Sequence, residues 1–334
     1  MAAVIGAGSW GTAVAALTAR NASTVLWARR TELADEIDRT RVNREYLPGF
    51  QLPARLRATS DLEEAVTGAD VVVMGVPSHG FRDILGQARP YIGPGVPVIS
   101  LAKGVEQHTL KRMTEVVDEV LPGHRSGVLT GPNLCQEVMA GYPTASVVAV
   151  TDDELAIDLQ QLFNTDSFRV YTNPDVVGCE VGGALKNVMA IASGIADGMG
   201  FGDNTRATLI TRGLAELTRL GVALGGEPLT FAGLAGMGDL VATCISPQSR
   251  NHRVGMELGR GRPIDDIVAE MRMVAEGVKT SKAVVDLAAR VHVEMPIAEQ
   301  VVAVLYGGKQ ASEMVSALMQ RETKAELHGI SAPR

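Results

Sequence analysis

Lys186 stands in a run of small and apolar residues, Gly182-Gly183-Ala184-Leu185-Lys186-Asn187-Val188-Met189-Ala190. On a helix, Gly182 and Gly183 lie one turn before it and Met189 and Ala190 one turn after. No carboxylate occupies the i±3 or i±4 positions that would make it a surface ion pair. Such a lysine either snorkels out at an edge or sits in a partly dry pocket, where its pKa falls and it becomes a proton donor near neutrality. Glycine inside a helix costs about 1 kcal/mol relative to alanine. Two of them favour the pocket, since something must approach that face closely.

Other polar residues cluster at expected turns. Lys103 follows the apolar run 96–101, just past the carboxyl end of an expected strand, where ligands lie in open α/β sheets. Thr130-Gly131-Pro132-Asn133 follows another strand and would present backbone and amide groups to the same crevice. Ser246-Pro247 is expected to open a helix, with serine as N-cap and proline at the first position. Ser249, Arg250 and Asn251 would then gather donors near its first turn, suited to an anionic head group. A capped surface helix would carry the same residues. Together Lys103, Lys186 and Arg250 with the carboxylate of Asp239 are what a small phosphorylated carbonyl compound requires.

These groups need a scaffold, and the N-terminus declares one. Residues 2–5 form a short apolar strand that runs into Gly6-Ala7-Gly8-Ser9-Trp10-Gly11, followed by a small-residue helix from Thr12. Gly6 permits the tight turn, Gly8 lets the backbone approach a pyrophosphate, and Gly11 allows close helix–strand packing. The helix N-terminus adds unpaired N–H groups and a positive dipole end. The second strand, 23–28, ends in Arg29-Arg30, with no acid until Glu32. An acid there would accept a ribose 2′-OH, whereas arginine pairs with a 2′-phosphate. The expected cofactor is therefore NADP(H), with NAD(H) tolerated.

Apolar runs at 71–76, 96–101, 145–150 and 168–171 alternate with helical stretches such as 61–67, 79–89 and 109–120. That alternation indicates a parallel sheet covered on both faces. After Asn173-Pro174 the chain turns to helical apolar recurrence. The fold class expected is α/β: a Rossmann-type doubly wound, mostly parallel sheet over 1–174, then an all-α substrate and catalytic domain over 175–334. The tail from Arg321 is polar and is expected to fray.

Composition narrows the partners. At 334 residues, two domains are expected. A net charge of −7 argues against nucleic acid as main partner, because phosphate backbones need basic stripes. No uncharged apolar run is long enough to span a membrane, and the first strand starts too early to leave room for a signal peptide. Cys135, Cys179 and Cys244 are widely spaced, which suggests reduced thiols in the cytoplasm and neither a zinc site nor a disulfide framework. No metal site is expected.

The chain resembles the bacterial NAD(P)-dependent glycerol-3-phosphate dehydrogenases almost end to end. The likeness rests on the 6–13 glycine turn, Tyr46-Leu47-Pro48-Gly49, Ser100 to Gly104, and Gly131-Pro132-Asn133 with Glu137-Val138 and Pro143-Thr144-Ala145. It continues through Gly183 to Asn187, Gly236 to Leu240, Ser249-Arg250-Asn251 and Val274 to Gly277. The resemblance implies reversible reduction of dihydroxyacetone phosphate to sn-glycerol 3-phosphate, feeding phospholipid synthesis. It implies Lys186 as proton donor and acceptor. Lys103, Gly131, Asn133, Lys186, Asp239, Ser249, Arg250 and Asn251 would contact substrate. Gly6, Gly8, Ser9, Trp10, Gly11, Arg29, Arg30, Tyr46, Lys103, Cys135, Arg250, Val274 and Glu276 would line the cofactor. Many members carry Ser or Thr, Phe and Ala where this chain has Asn133, Leu134 and Cys135. A homodimer is a candidate assembly. Two alternatives stay open: another two-domain NADP-dependent dehydrogenase of hydroxy acids or sugars, and an NADP(H) sensor without turnover.

Overall fold

The computed structural model describes residues 1–271, 275–323 and 325–326. Val274 and most of the tail expected to fray lie outside the described residues. The chain divides into two compact units, Met1–Ala102 with Lys111–Val176, and Lys103–Leu110 with Val177–Arg334. The short excursion 103–110 counts with the second unit for two reasons. Val105 is buried in the helical apolar cluster, and Gln107 Nε2 donates to the Lys279 carbonyl at 3.0 Å.

The first unit alternates strands and helices. They are β1 (Ala2–Ile5), α1 (Ser9–Asn21), β2 (Thr24–Trp27), α2 (Thr31–Thr40), β3 (Leu56–Thr59), α3 (Leu62–Val66), β4 (Val71–Met74), α4 (Ser78–Ala88), β5 (Val98–Ser100), α5 (Met113–Val120), β6 (Ser126–Thr130), α6 (Cys135–Met139), β7 (Thr144–Ala149), α7 (Asp153–Phe163) and β8 (Phe168–Asn173). The sheet order is β3-β2-β1-β4-β5-β6-β7-β8, parallel throughout except where β7 runs against β6. Alternate residues of β1 feed opposite faces. Ala2 and Val4 pack with Val14, Leu33 and Leu155 of α1, α2 and α7, whereas Ala3 and Ile5 pack with Ala65, Phe81 and Val116 of α3, α4 and α5. Burial on both faces is why β1 and β4 read as unbroken apolar runs. The strand order reverses between β1 and β4, the place where doubly wound sheets open a ligand crevice.

Two local expectations need correction. Strand β3 was not anticipated: Leu56-Arg57-Ala58-Thr59 alternates apolar and polar, and buried with more exposed, but over four residues only and without the unbroken apolar run of its neighbours. The helix expected over 109–120 starts only at Met113, since Leu110 adopts a left-handed φ of 60° that ends the preceding turn.

The second unit holds α8 (Val176–Gly198), α9 (Asp203–Ala223), α10 (Pro228–Ala232), a π-helical turn (Leu234–Gly238), α11 (Asp239–Ile245), α12 (Arg250–Gly259), α13 (Ile264–Glu270), α14 (Glu276–Arg290), α15 (Pro296–Tyr306) and α16 (Ala311–Met319). Helix α8 is long and apolar enough to cross a membrane, but 89% of its apolar window is buried inside the protein. Its Leu185, Val188, Ile191 and Ile195 join Leu217, Leu240, Val254, Val284 and Val301 in one core. Helices α8 and α12 pack backbone to backbone. A Cβ on Gly194 would lie 2.1 Å from the His252 carbonyl oxygen, and one on Gly255 would lie 2.1 Å from that of Ile191. The His252 ring also bonds Asp197 of α8 at 2.8 Å.

Candidate active site

Lys186 is buried in the second unit, 5% exposed. Its Nζ donates to Thr243 Oγ1 at 2.9 Å and to Asp239 Oδ1, while Lys103 Nζ donates to Asp239 Oδ2 at 2.7 Å. One carboxylate thus serves two ammonium groups. Local structure explains how it arrives there. Asp239 opens α11 directly after the π-helical turn, and such single-turn widenings are frequent at functional sites. A Cβ on Gly182 would lie 2.6 Å from the Ala235 carbonyl oxygen of that turn. The close approach predicted from Gly182 is therefore made by the chain itself. It lets α8 abut the turn that carries Asp239.

Burial pulls the Lys186 ammonium down to about 7, opposed by the Asp239 carboxylate and reinforced by the charge of Lys103. A lysine so poised can give or take a proton near neutral pH. Thr243 was not among the expected residues. It sits one turn after Asp239 on α11, a spacing that was readable, and its hydroxyl contacts both the Asp239 carbonyl (2.6 Å) and Lys186.

A chain of amides runs beside this cluster. Asn187 Nδ2 donates to the Lys103 carbonyl at 3.1 Å, Asn251 Nδ2 donates to Asn187 Oδ1 at 2.9 Å, and Gly277 N donates to Asn251 Oδ1 at 2.9 Å. Asn251 therefore makes protein contacts through both amide atoms. Glu276, the first residue of α14, precedes the glycine at the end of this chain. The cap of α12 also differs from expectation. Ser249 is its N-cap, accepting from His252 N at 3.3 Å, whereas Ser246 terminates α11 and Pro247 lies in the turn between the helices. The reason is that Ser246 O receives Ser249 N at 3.0 Å, which closes a tight turn before the new helix can start. Arg250, the first residue of α12, is exposed, and its side chain forms no hydrogen bond or ion pair among the described residues.

In the first unit the glycine turn has the geometry that a dinucleotide requires. Gly6 has φ +117°, and a Cβ on Gly11 would lie 2.0 Å from the Gly6 carbonyl oxygen, so neither position admits a side chain. A Cβ on Gly8 would meet nothing within 4 Å, which leaves its backbone open to a ligand. Asn43, missed in the sequence, fastens the turn from outside. Fully buried, it donates through Nδ2 to the Ala7 carbonyl at 2.9 Å and Thr12 Oγ1 at 2.8 Å, and accepts from Tyr46 N at 3.0 Å. Ser9 Oγ donates to the Tyr46 carbonyl at 2.6 Å. Only its YLPG neighbours hinted at this loop; no local pattern pointed to Asn43 itself.

The remaining first-unit residues vary in what they touch. Arg29 is exposed and makes no hydrogen bond or ion pair among the described residues, whereas Arg30 pairs with Glu45. Trp10 tilts against Phe168, and its Nε1 is buried without a partner; the Asn133 amide is likewise buried with neither atom bonded. Gly131 holds φ +131° against Ser146, so the chain itself requires a glycine there. Cys135 starts α6. An open Gly8 backbone, two orphaned polar side chains and an unpaired arginine fit a bound dinucleotide. Among the described residues no group of His, Cys, Asp and Glu is placed to hold a metal ion.

Comparison with known proteins agrees with this layout. The family model described as NAD-dependent glycerol-3-phosphate dehydrogenase N-terminus matches residues 1–156, and the corresponding C-terminus model matches residues 175–316. A glycerol-3-phosphate dehydrogenase (NAD(P)+) from Sphingopyxis alaskensis is 58% identical over 97% of this chain and 98% of its own length. One from Geobacter sulfurreducens is 54% identical over 97% and 98%. The crystal structure of a glycerol-3-phosphate dehydrogenase from Coxiella burnetii superposes with TM-score 0.92 at 37% identity, covering 96% of this chain and 98% of that one.

Proposed function

The chain belongs to the NAD-dependent glycerol-3-phosphate dehydrogenase family, and from that premise we propose that it catalyses the reversible NAD(P)H-dependent reduction of dihydroxyacetone phosphate to sn-glycerol 3-phosphate. Bound nicotinamide supplies the hydride for the substrate C2 carbonyl. Gly6, Gly8, Ser9, Trp10, Gly11, Arg29 and Tyr46 would hold the cofactor, with Cys135, Glu276 and the charged Lys103 and Arg250 beside it.

The chain's own contribution is a proton and a set of charges. Lys186 gives its proton to the developing C2 alkoxide, and takes one back in the oxidative direction. General acid help of this kind is worth about 10²–10⁴-fold. Asp239 accepts from Lys186 through one oxygen and from Lys103 through the other, an arrangement that orients the pair. Lys103 adds positive charge where the alkoxide develops. Arg250, unpaired at a helix N-terminus capped by Ser249, receives the phosphate and orients the reacting carbon by remote binding. Gly131 and Asn133 complete the substrate contacts. Asn251 acts through Asn187 and Gly277, keeping Lys103 and the start of α14 in register.

In this reading 1–174 is the dinucleotide-binding domain and 175–334 the substrate domain, with Lys103 to Leu110 lent to the latter. The enzyme would work in the cytoplasm and feed phospholipid synthesis. The observation that carries the proposal is the buried Lys186–Asp239–Lys103 cluster. Steady-state kinetics with dihydroxyacetone phosphate and each reduced cofactor test it. Turnover with this substrate and none with unphosphorylated hydroxy acids or sugars is expected; cofactor binding without turnover would refute it.

A further inference from the structure

We propose that Glu45 sets the cofactor preference of this chain by occupying Arg30, so that Arg29 alone is left to receive a 2′-phosphate. The proposal rests on the reading that the chain binds NAD(P)(H). The end of β2 is where a dinucleotide-binding sheet tests the adenosine ribose: a carboxylate there selects the 2′-OH, and an arginine the 2′-phosphate. The sequence shows two arginines and no acid at that point. The structure brings one from elsewhere. Glu45, in the segment after α2, bonds Arg30 Nη2 through Oε2.

Three observations make this a designed feature of the site rather than a casual surface pair. The two arginines are treated differently, since Arg30 is engaged while Arg29 has no hydrogen bond or ion pair among the described residues. The segment carrying Glu45 is also fixed to the phosphate turn itself. Asn43 ties it to Ala7 and Thr12, and Ser9 Oγ donates to the Tyr46 carbonyl at 2.6 Å, so the residues on either side of Glu45 are held to the phosphate turn. Finally, Glu45 acts on both its neighbours: its bond and charge favour the charged state of Arg30 and add to the burial that favours the neutral state of Tyr46.

The consequence is a difference between the two cofactors. A 2′-phosphate brings nearly two negative charges. To use Arg30 it must displace Glu45 or accept its repulsion. A 2′-OH meets no such penalty and can donate a hydrogen bond to a carboxylate. Both partners are half-exposed, 50% for Arg30 and 41% for Glu45, so the effect is that of charges in a wet environment. Between charges a few ångströms apart in such an environment, that corresponds to roughly three- to tenfold in binding.

Titration of nicotinamide fluorescence with NADPH and NADH, without substrate, tests this on the full chain. Glu45→Gln should tighten NADPH about three- to tenfold while leaving NADH unchanged or weaker, and the gain should shrink in high salt. Arg29→Ala should weaken NADPH about tenfold or more with little change for NADH. Glu45→Ala provides the same readout should the glutamine variant fold poorly. A ratio of the two dissociation constants within twofold of wild type, in a variant with unaltered melting, overturns the proposal. Failure to bind either cofactor overturns it together with the dinucleotide reading. An altered ratio in a protein that does not reduce dihydroxyacetone phosphate supports it and refutes the substrate assignment alone.

Discussion

Asp239 offers one carboxylate oxygen to Lys186 and the other to Lys103, joining two lysines 83 residues apart in sequence. A buried carboxylate that neutralises one charge of two leaves the second ammonium ready to lose its proton. Asp239→Asn keeps the shape and removes the charge that favours protonated Lys186. The expected outcome is a fall in kcat for carbonyl reduction of about 10²-fold with NADPH affinity retained. Single-turnover kinetics alongside fluorescence titration separate the two quantities.

Lys186→Ala should abolish most turnover, about 10²–10⁴-fold, with cofactor binding near normal. Retention of more than half of wild-type kcat would remove Lys186 from its role. The pH profile carries an independent check. Reduction needs the ammonium and oxidation needs the free amine, and burial holds the Lys186 pKa down to about 7. Rates of reduction should therefore fall as pH rises through that value, and rates of oxidation should rise through it. Rapid-mixing measurements in both directions would show the mirrored limbs.

Arg250→Ala should raise KM for dihydroxyacetone phosphate at least tenfold and alter kinetics with unphosphorylated dihydroxyacetone far less. The free guanidinium at the α12 N-terminus is the reason. Equal losses with both substrates would show that Arg250 does not meet the phosphate.

Glu216 gives a stability test away from catalysis. It is 2% exposed and accepts from Ile297 N (2.7 Å) and Ala298 N (3.3 Å) at the start of α15. Burial pushes its carboxyl up to about 7, against those two donors. The folded state thus holds a proton that the unfolded chain has already released above its usual carboxylate range. From about pH 4.5 to 7 this group makes stability fall as pH rises, by about 1.4 kcal/mol per pH unit. Glu216→Gln should flatten that slope in thermal melts across the same window; an unchanged slope would contradict the assignment.

Parts of this architecture were legible because they are local. Gly6, Gly8 and Gly11 report a strand–turn–helix within ten residues, and only glycine fits where a Cβ would meet backbone at 2.0 Å. The unbroken apolar runs of β1 and β4 record burial on both sheet faces. Strand β3, at the sheet edge beside β2, left no such run: its Leu56-Arg57-Ala58-Thr59 buries only alternate residues and is short enough to pass for a loop.

The sequence alone determined where a proton donor could lie and what kind of turn would meet a pyrophosphate, since both follow from residue types at fixed short spacing. Tertiary structure decided the rest. Whether Lys186 is charged, which arginine at the end of β2 pairs with an acid, and which amide Asn251 donates to all depend on Asp239, Glu45 and Asn187, residues brought in from other parts of the chain. Burial and charge act through space, so their effect on a side chain exists only once folding has chosen its neighbours.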